Sequence, residues 1–91
     1  MNAARRFRLA DGVLAQTVLV EAVLLDARKG HYFGANVSAS VILRGVIEGH
    51  SEAQIVTELA QQFEADHALL ETDTQHCLAD WLTRGLIVEI V

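Results

Sequence analysis

The hydrophobic pattern changes character part-way along this chain. Residues 7–36 read as extended, and the run Val18-Leu19-Val20-Glu21-Ala22-Val23-Leu24-Leu25 is rich in the β-branched and large apolar types that strands favour. Where a first strand ends and a second begins within residues 14–25 stays open. The next boundary is better marked. Residues 22–27, then Arg28-Lys29-Gly30, then His31–Ala35 read as a β-hairpin, with Gly30 supplying the positive φ of the turn. From Asn36 the period becomes helical. Val41, Ile42, Val46 and Ile47 share one face of a first helix over Val37–Ile47, with Asn36 or Ser38 as N-cap and Gly49 as stop. Its β-branched residues oppose that helix, because they lose rotamer freedom against the preceding turn. A second helix opens on Ser51-Glu52-Ala53-Gln54, a capping-box pattern, and carries Ile55, Val56, Leu59, Ala60 and Phe63 on one face. A third runs over residues 68–84 with Leu70, Thr74, Cys77, Leu78, Trp81 and Leu82 on one side. Gly85 ends it, and residues 86–91 form a short strand or an extended tail.

Strands followed by three helices predict an α+β fold, a small antiparallel sheet packed against a helical cluster. The layout is also that of a winged helix-turn-helix. With 91 residues, 52% of them apolar, the chain reads as one domain over residues 1–91 with a modest core, and its arginine-bearing first eight residues as a flexible end. The longest apolar-rich stretch, residues 13–25, is broken by Gln16, Thr17 and Glu21 and is too short to span a membrane. No signal-peptide pattern follows the N-terminal arginines, and a single cysteine excludes an internal disulfide. These features predict a soluble cytoplasmic protein without a membrane partner.

Charge argues against the ligand that a winged-helix layout implies. Residues 1–36 carry a net charge of +2 and residues 37–91 a net charge of −7. Residues 51–63 contain no basic residue, and residues 68–84 hold only Arg84 against Glu71, Asp73 and Asp80. A nucleic-acid reader draws much of its affinity from Lys and Arg neutralising phosphates, so neither helix suits a major groove and no nucleic-acid partner is expected. His31, His50, His67, His76 and Cys77 lack the i, i+4 spacing that aims two metal ligands from one helix, so no metal is expected. There is no phosphate-binding glycine loop, no G-x-S-x-G and no nucleophile–base signature. The chain reads as a non-enzyme without a cofactor. What remains is the strand His31–Ala35. At a sheet edge its free N–H and C=O groups would template another strand, the third helix forming the opposite wall of a groove. Pattern alone equally allows Tyr32 and Phe33 as core, with Gly34 as a bulge.

The stretch Val23-Leu24-Leu25-Asp26-Ala27-Arg28-Lys29-Gly30-His31-Tyr32-Phe33-Gly34-Ala35-Asn36 resembles the "vLLDlrtGryfgLN" segment of precursor-peptide recognition elements. That family includes the D-type peptide chaperones of pyrroloquinoline quinone biosynthesis and the stand-alone recognition proteins of lasso-peptide clusters. The similarity continues through Gly49-His50-Ser51-Glu52-Ala53-Gln54-Ile55-Val56, through Leu70-Glu71-Thr72-Asp73, and from Leu78 through Trp81 to Arg84-Gly85-Leu86-Ile87. The chain departs from the pattern at Ala35, where a large aliphatic residue is usual, at Ser40-Val41-Ile42, and in lacking a proline before Gly12. The resemblance implies a three-stranded antiparallel sheet with three helices. It also implies that the leader of a ribosomally made precursor peptide adds as an antiparallel strand beside His31, Tyr32, Phe33, Gly34 and Ala35. On the helix side the implied wall is Leu70, Asp73, Thr74, Cys77 and Trp81, with Asp73 either pairing a basic leader residue or lying as a solvated helix charge. The implied partners are separate modifying enzymes, the leader peptidase and cyclase of a lasso-peptide pathway. The alternatives are a quinone-pathway chaperone and a winged-helix DNA-binding regulator.

Overall fold

The computed structural model describes residues 4–18 and 21–90. The elements run β1 (Arg6–Leu9), β2 (Val13–Val18), β3 (Glu21–Asp26), β4 (His31–Ala35), α1 (Val37–Ile47), α2 (Glu52–Gln62), α3 (His67–Thr83) and β5 (Ile87–Ile90). Strands β2, β3 and β4 form an antiparallel sheet in that order, which leaves β4 at one edge. The three helices complete the α+β arrangement expected from the pattern. The boundary left open between the first strands falls at residues 19 and 20, outside the described residues.

The β3–β4 hairpin is the expected one. Its register runs unbroken from Ala22 opposite Ala35 to Asp26 opposite His31, so Gly34 is an ordinary ladder position and not a bulge. Gly30 takes φ 70° and donates its N–H to the Asp26 carbonyl at 2.8 Å, closing the turn. Side chains alternate across the sheet. Ala22, Leu24 and Asp26 of β3 are buried, with Ala35 and half-buried Phe33 beside them, whereas Tyr32 is 72% exposed.

Helix α1 forms despite its β-branched content because Val41, Ile42, Leu43 and Val46 are all buried in the common core, and burial outweighs propensity. The Asn36 side chain caps it by accepting from the Ala39 N–H at 2.9 Å. Helix α2 has the reciprocal capping box: the Gln54 N–H donates to Ser51 Oγ and the Ser51 N–H to Gln54 Oε1. Ile55, Val56 and Leu59 are buried, Phe63 is half-buried, and Ala60 is exposed, so the apolar face is narrower than expected. The two helices approach closely at Gly45, where an added Cβ would lie 2.5 Å from Ile55 Cγ1.

Two findings concern the chain ends. Residues 86–91 include a true strand, and its partner is β1, through pairs running from Arg6 opposite Ile90 to Leu9 opposite Ile87. Over Arg6–Leu9 the N-terminal stretch, expected as a flexible end, is paired as a strand. Phe7 is 1% exposed within the core, and Arg5 donates two hydrogen bonds to the Glu89 carboxylate at 2.9 and 3.0 Å. Burying one aromatic ring and pairing a second sheet hold this segment in place. Residues 1–3 lie outside the described residues.

Candidate functional site

Strand β4 has an open edge, and an apolar cleft between α1, the end of α2 and α3 reaches the end of that strand at Asn36. On the strand wall His31 and Tyr32 are exposed, Phe33 is half-buried, Gly34 is exposed and Ala35 is buried. As an edge strand, β4 presents alternate N–H and C=O groups that no neighbouring strand satisfies. Phe33 projects to the helix side, edge-on to the His31 ring at 6.4 Å and beneath the Arg84 guanidinium at 5.5 Å. Arg84, the C-cap of α3, is itself held by Asp80 through Nε at 3.0 and 3.1 Å. The cation over the ring joins the end of α3 to the middle of β4.

On the helix wall the expected residues divide. Leu70, Asp73 and Cys77 line a cavity of about 610 Å³ that continues from the C-terminal end of β4. Its floor is apolar, from Ile42, Leu59, Phe63 and Leu70, and Glu64, Asp73 and His76 lie along its polar side. Neither Glu64 nor Asp73 has an ion-pair partner among the described residues. Thr74 does not face the cavity: it is fully buried, and its hydroxyl donates to the Leu70 carbonyl at 2.8 Å. Trp81 is likewise buried in the core, so both support the wall from behind. Burial, reinforced by nearby Asp80, pushes the Cys77 thiol up to about 12, so it lines the cavity as a neutral thiol.

Sequence reasoning missed the contributions of α1 and α2 to the cavity, although Ile42, Leu59 and Phe63 stood on faces already read as apolar. It also missed Arg84, whose long side chain leaves no periodic trace. Among the described residues no group of three or more His, Cys, Asp or Glu could hold a metal ion, and no helix is long and apolar enough to cross a membrane. An open strand edge with an apolar cleft at its end is the kind of surface that captures extended peptides elsewhere, main-chain hydrogen bonds giving affinity and side-chain contacts selectivity.

Comparison with known proteins gives that architecture a family. Residues 21–87 match the family Coenzyme PQQ synthesis protein D (PqqD), and the chain belongs to it. Two solved structures share the fold. One is lasso peptide synthetase B1 complexed with the leader peptide, with a TM-score of 0.83 and 26% identity, covering 91% of this chain and 98% of that one. The other is TbiB1 in complex with the TbiA(beta) leader peptide, also with a TM-score of 0.83 and 26% identity, covering 88% of this chain and 93% of that one. No curated protein matches.

Proposed function

We propose that this chain binds the leader segment of a ribosomally synthesised precursor peptide and presents it to separate enzymes of lasso-peptide biosynthesis. The observation that carries the reading is the free edge of β4 beside the α3 cleft, in a chain similar along most of its length to two leader-bound structures. The leader adds antiparallel to β4, so its N-terminal part lies near Ala35 and its C-terminal part leaves past His31. Tyr32, Phe33 and Gly34 supply the strand contact. Leu70, Asp73 and Cys77 supply the helix contact, with Thr74 and Trp81 holding that helix in place. Asp73 and Glu64, unpaired beside the apolar cleft, favour a leader with a basic residue next to a large apolar one. The chain performs no chemistry itself. It raises the local concentration of precursor at a leader peptidase and a cyclase, and on this reading it works in the cytoplasm.

A second reading follows from the family match: a chaperone that delivers a different precursor in quinone-cofactor synthesis. Titrating the protein into fluorescently labelled leader from the adjacent precursor gene, with a scrambled leader as control, tests both. Saturable anisotropy with one native leader and none with its scramble is the expected result, and the leader that binds names the pathway. Equal binding to native and scrambled leaders, or none to either, would end the proposal.

A further inference from the structure

The two walls of the groove belong to distant parts of the chain, and one arginine ties them together. Asp26 ends β3 opposite His31, the first residue of β4, and its carboxylate is 1% exposed. The Arg28 backbone N–H and Nε donate to Asp26 Oδ1 at 3.1 and 2.9 Å, and Nη2 donates to Oδ2 at 3.1 Å. The same Nη2 donates to the carbonyl of Gly85 at 2.9 Å, one residue beyond the C-cap of α3. Arg28 therefore spans from the root of β4 to the end of α3. The aliphatic stem has a built path: at Gly12, which takes φ 85°, an added Cβ would lie 2.8 Å from Arg28 Cγ. The Arg84 guanidinium over Phe33 fixes the same end of the groove at a second point.

We infer that Arg28 is a positioning residue of the peptide groove, holding β4 and the end of α3 at the separation a bound strand needs to touch both. The inference rests on the leader-binding reading above. Its physical basis is the planar fork of the guanidinium, which meets both carboxylate oxygens and still directs a donor at Gly85. An ammonium at this position keeps a positive charge beside buried Asp26 and so keeps most of the fold. Being a single point of donation, it gives up the span to Gly85.

Arg28→Lys separates these roles. Two readouts are compared with wild type: the leader dissociation constant, and the distance between nitroxide labels at Tyr32→Cys and His76→Cys in a Cys77→Ser background without leader. Arg28→Lys is expected to melt within a few degrees of wild type, to broaden the label distance distribution, and to bind leader about tenfold more weakly, the size of one hydrogen bond to a charged group. An unchanged distance distribution overturns the positioning inference by itself. A broadened distribution with wild-type affinity also overturns it, since Arg28 would then set nothing that the peptide reads. Wild-type protein that binds no leader refutes the leader-binding reading instead, and the groove's role with it.

Discussion

Consecutive residues of an edge strand send their N–H groups in opposite directions, one into the ladder and the next to the open edge. Tyr32 and Phe33 are neighbours in β4, so replacing each in turn by proline separates pairing within the sheet from pairing with a guest strand. The proline whose N–H pointed outward leaves the β3–β4 ladder intact, and edge positions tolerate proline. A leader added to that edge loses one hydrogen bond, worth about 1 kcal/mol net, and faces a buried carbonyl without a donor, which costs about 1 kcal/mol or more. Their sum of about 2 kcal/mol weakens binding about thirtyfold. The other proline removes a ladder bond and lowers the melting temperature. Tyr32→Ala and Phe33→Ala control for the lost side chains, which matters most for Phe33 because its ring lies beneath Arg84. Leader anisotropy and circular-dichroism melts on all four variants give the result. Two folded proline variants that each bind like their alanine controls would refute strand addition at β4.

Further outcomes test the core, the buried charge and the thiol. Gly45→Ala gains about 1 kcal/mol of helix propensity but forces a methyl against fully buried Ile55, an overpacking that costs about 1–3 kcal/mol, so a thermal melt should show net destabilisation. Glu52, 3% exposed with Oε2 lacking a hydrogen-bond partner among the described residues, has its pKa raised chiefly by desolvation. A raised carboxylate pKa means that the charged form destabilises the fold above the ordinary range and that stability returns as pH falls through the folded pKa. Glu52→Gln should therefore melt higher than wild type at pH 7, and the difference should shrink on acidification; an advantage that grows in acid would refute the argument. With its pKa at about 12, Cys77 holds about two-thousandfold less thiolate at pH 8 than a free cysteine at about 8.5, partly offset by greater intrinsic nucleophilicity. Iodoacetamide should alkylate it about two orders of magnitude more slowly in the folded protein than in urea.

The hairpin and the second helix were legible because their signals are local. Gly30 marks a turn within one stretch of alternating residues, and Ser51 with Gln54 encodes a cap within four positions. The β1–β5 pairing had no such signal. Arg6 meets Ile90 across nearly the whole chain, and arginines at positions 5, 6 and 8 look like a solvated end until Phe7 is seen in the core. At the site, the edge strand could be read, but only the register decides that Tyr32 turns out while Phe33 turns toward the helix. On α3 the stripe was right and its fine rotation was not. Asp73 and Thr74 differ by about 100° around the axis, and that angle sends one to the cavity and the other to the core. The destinations of Arg28 and Arg84 depend on side chains that reach across elements, which periodicity cannot describe.

The pairing of β1 with β5 also bears on how this module can be wired to others. The first and last strands lie side by side, with Arg6 opposite Ile90, and Arg6 also bridges to Ser51 ahead of α2. The start of β1 and the end of β5 therefore emerge as a pair, on elements other than β4 and α3. A unit built this way can be spliced into a surface loop of a larger enzyme without stretching the host or blocking β4.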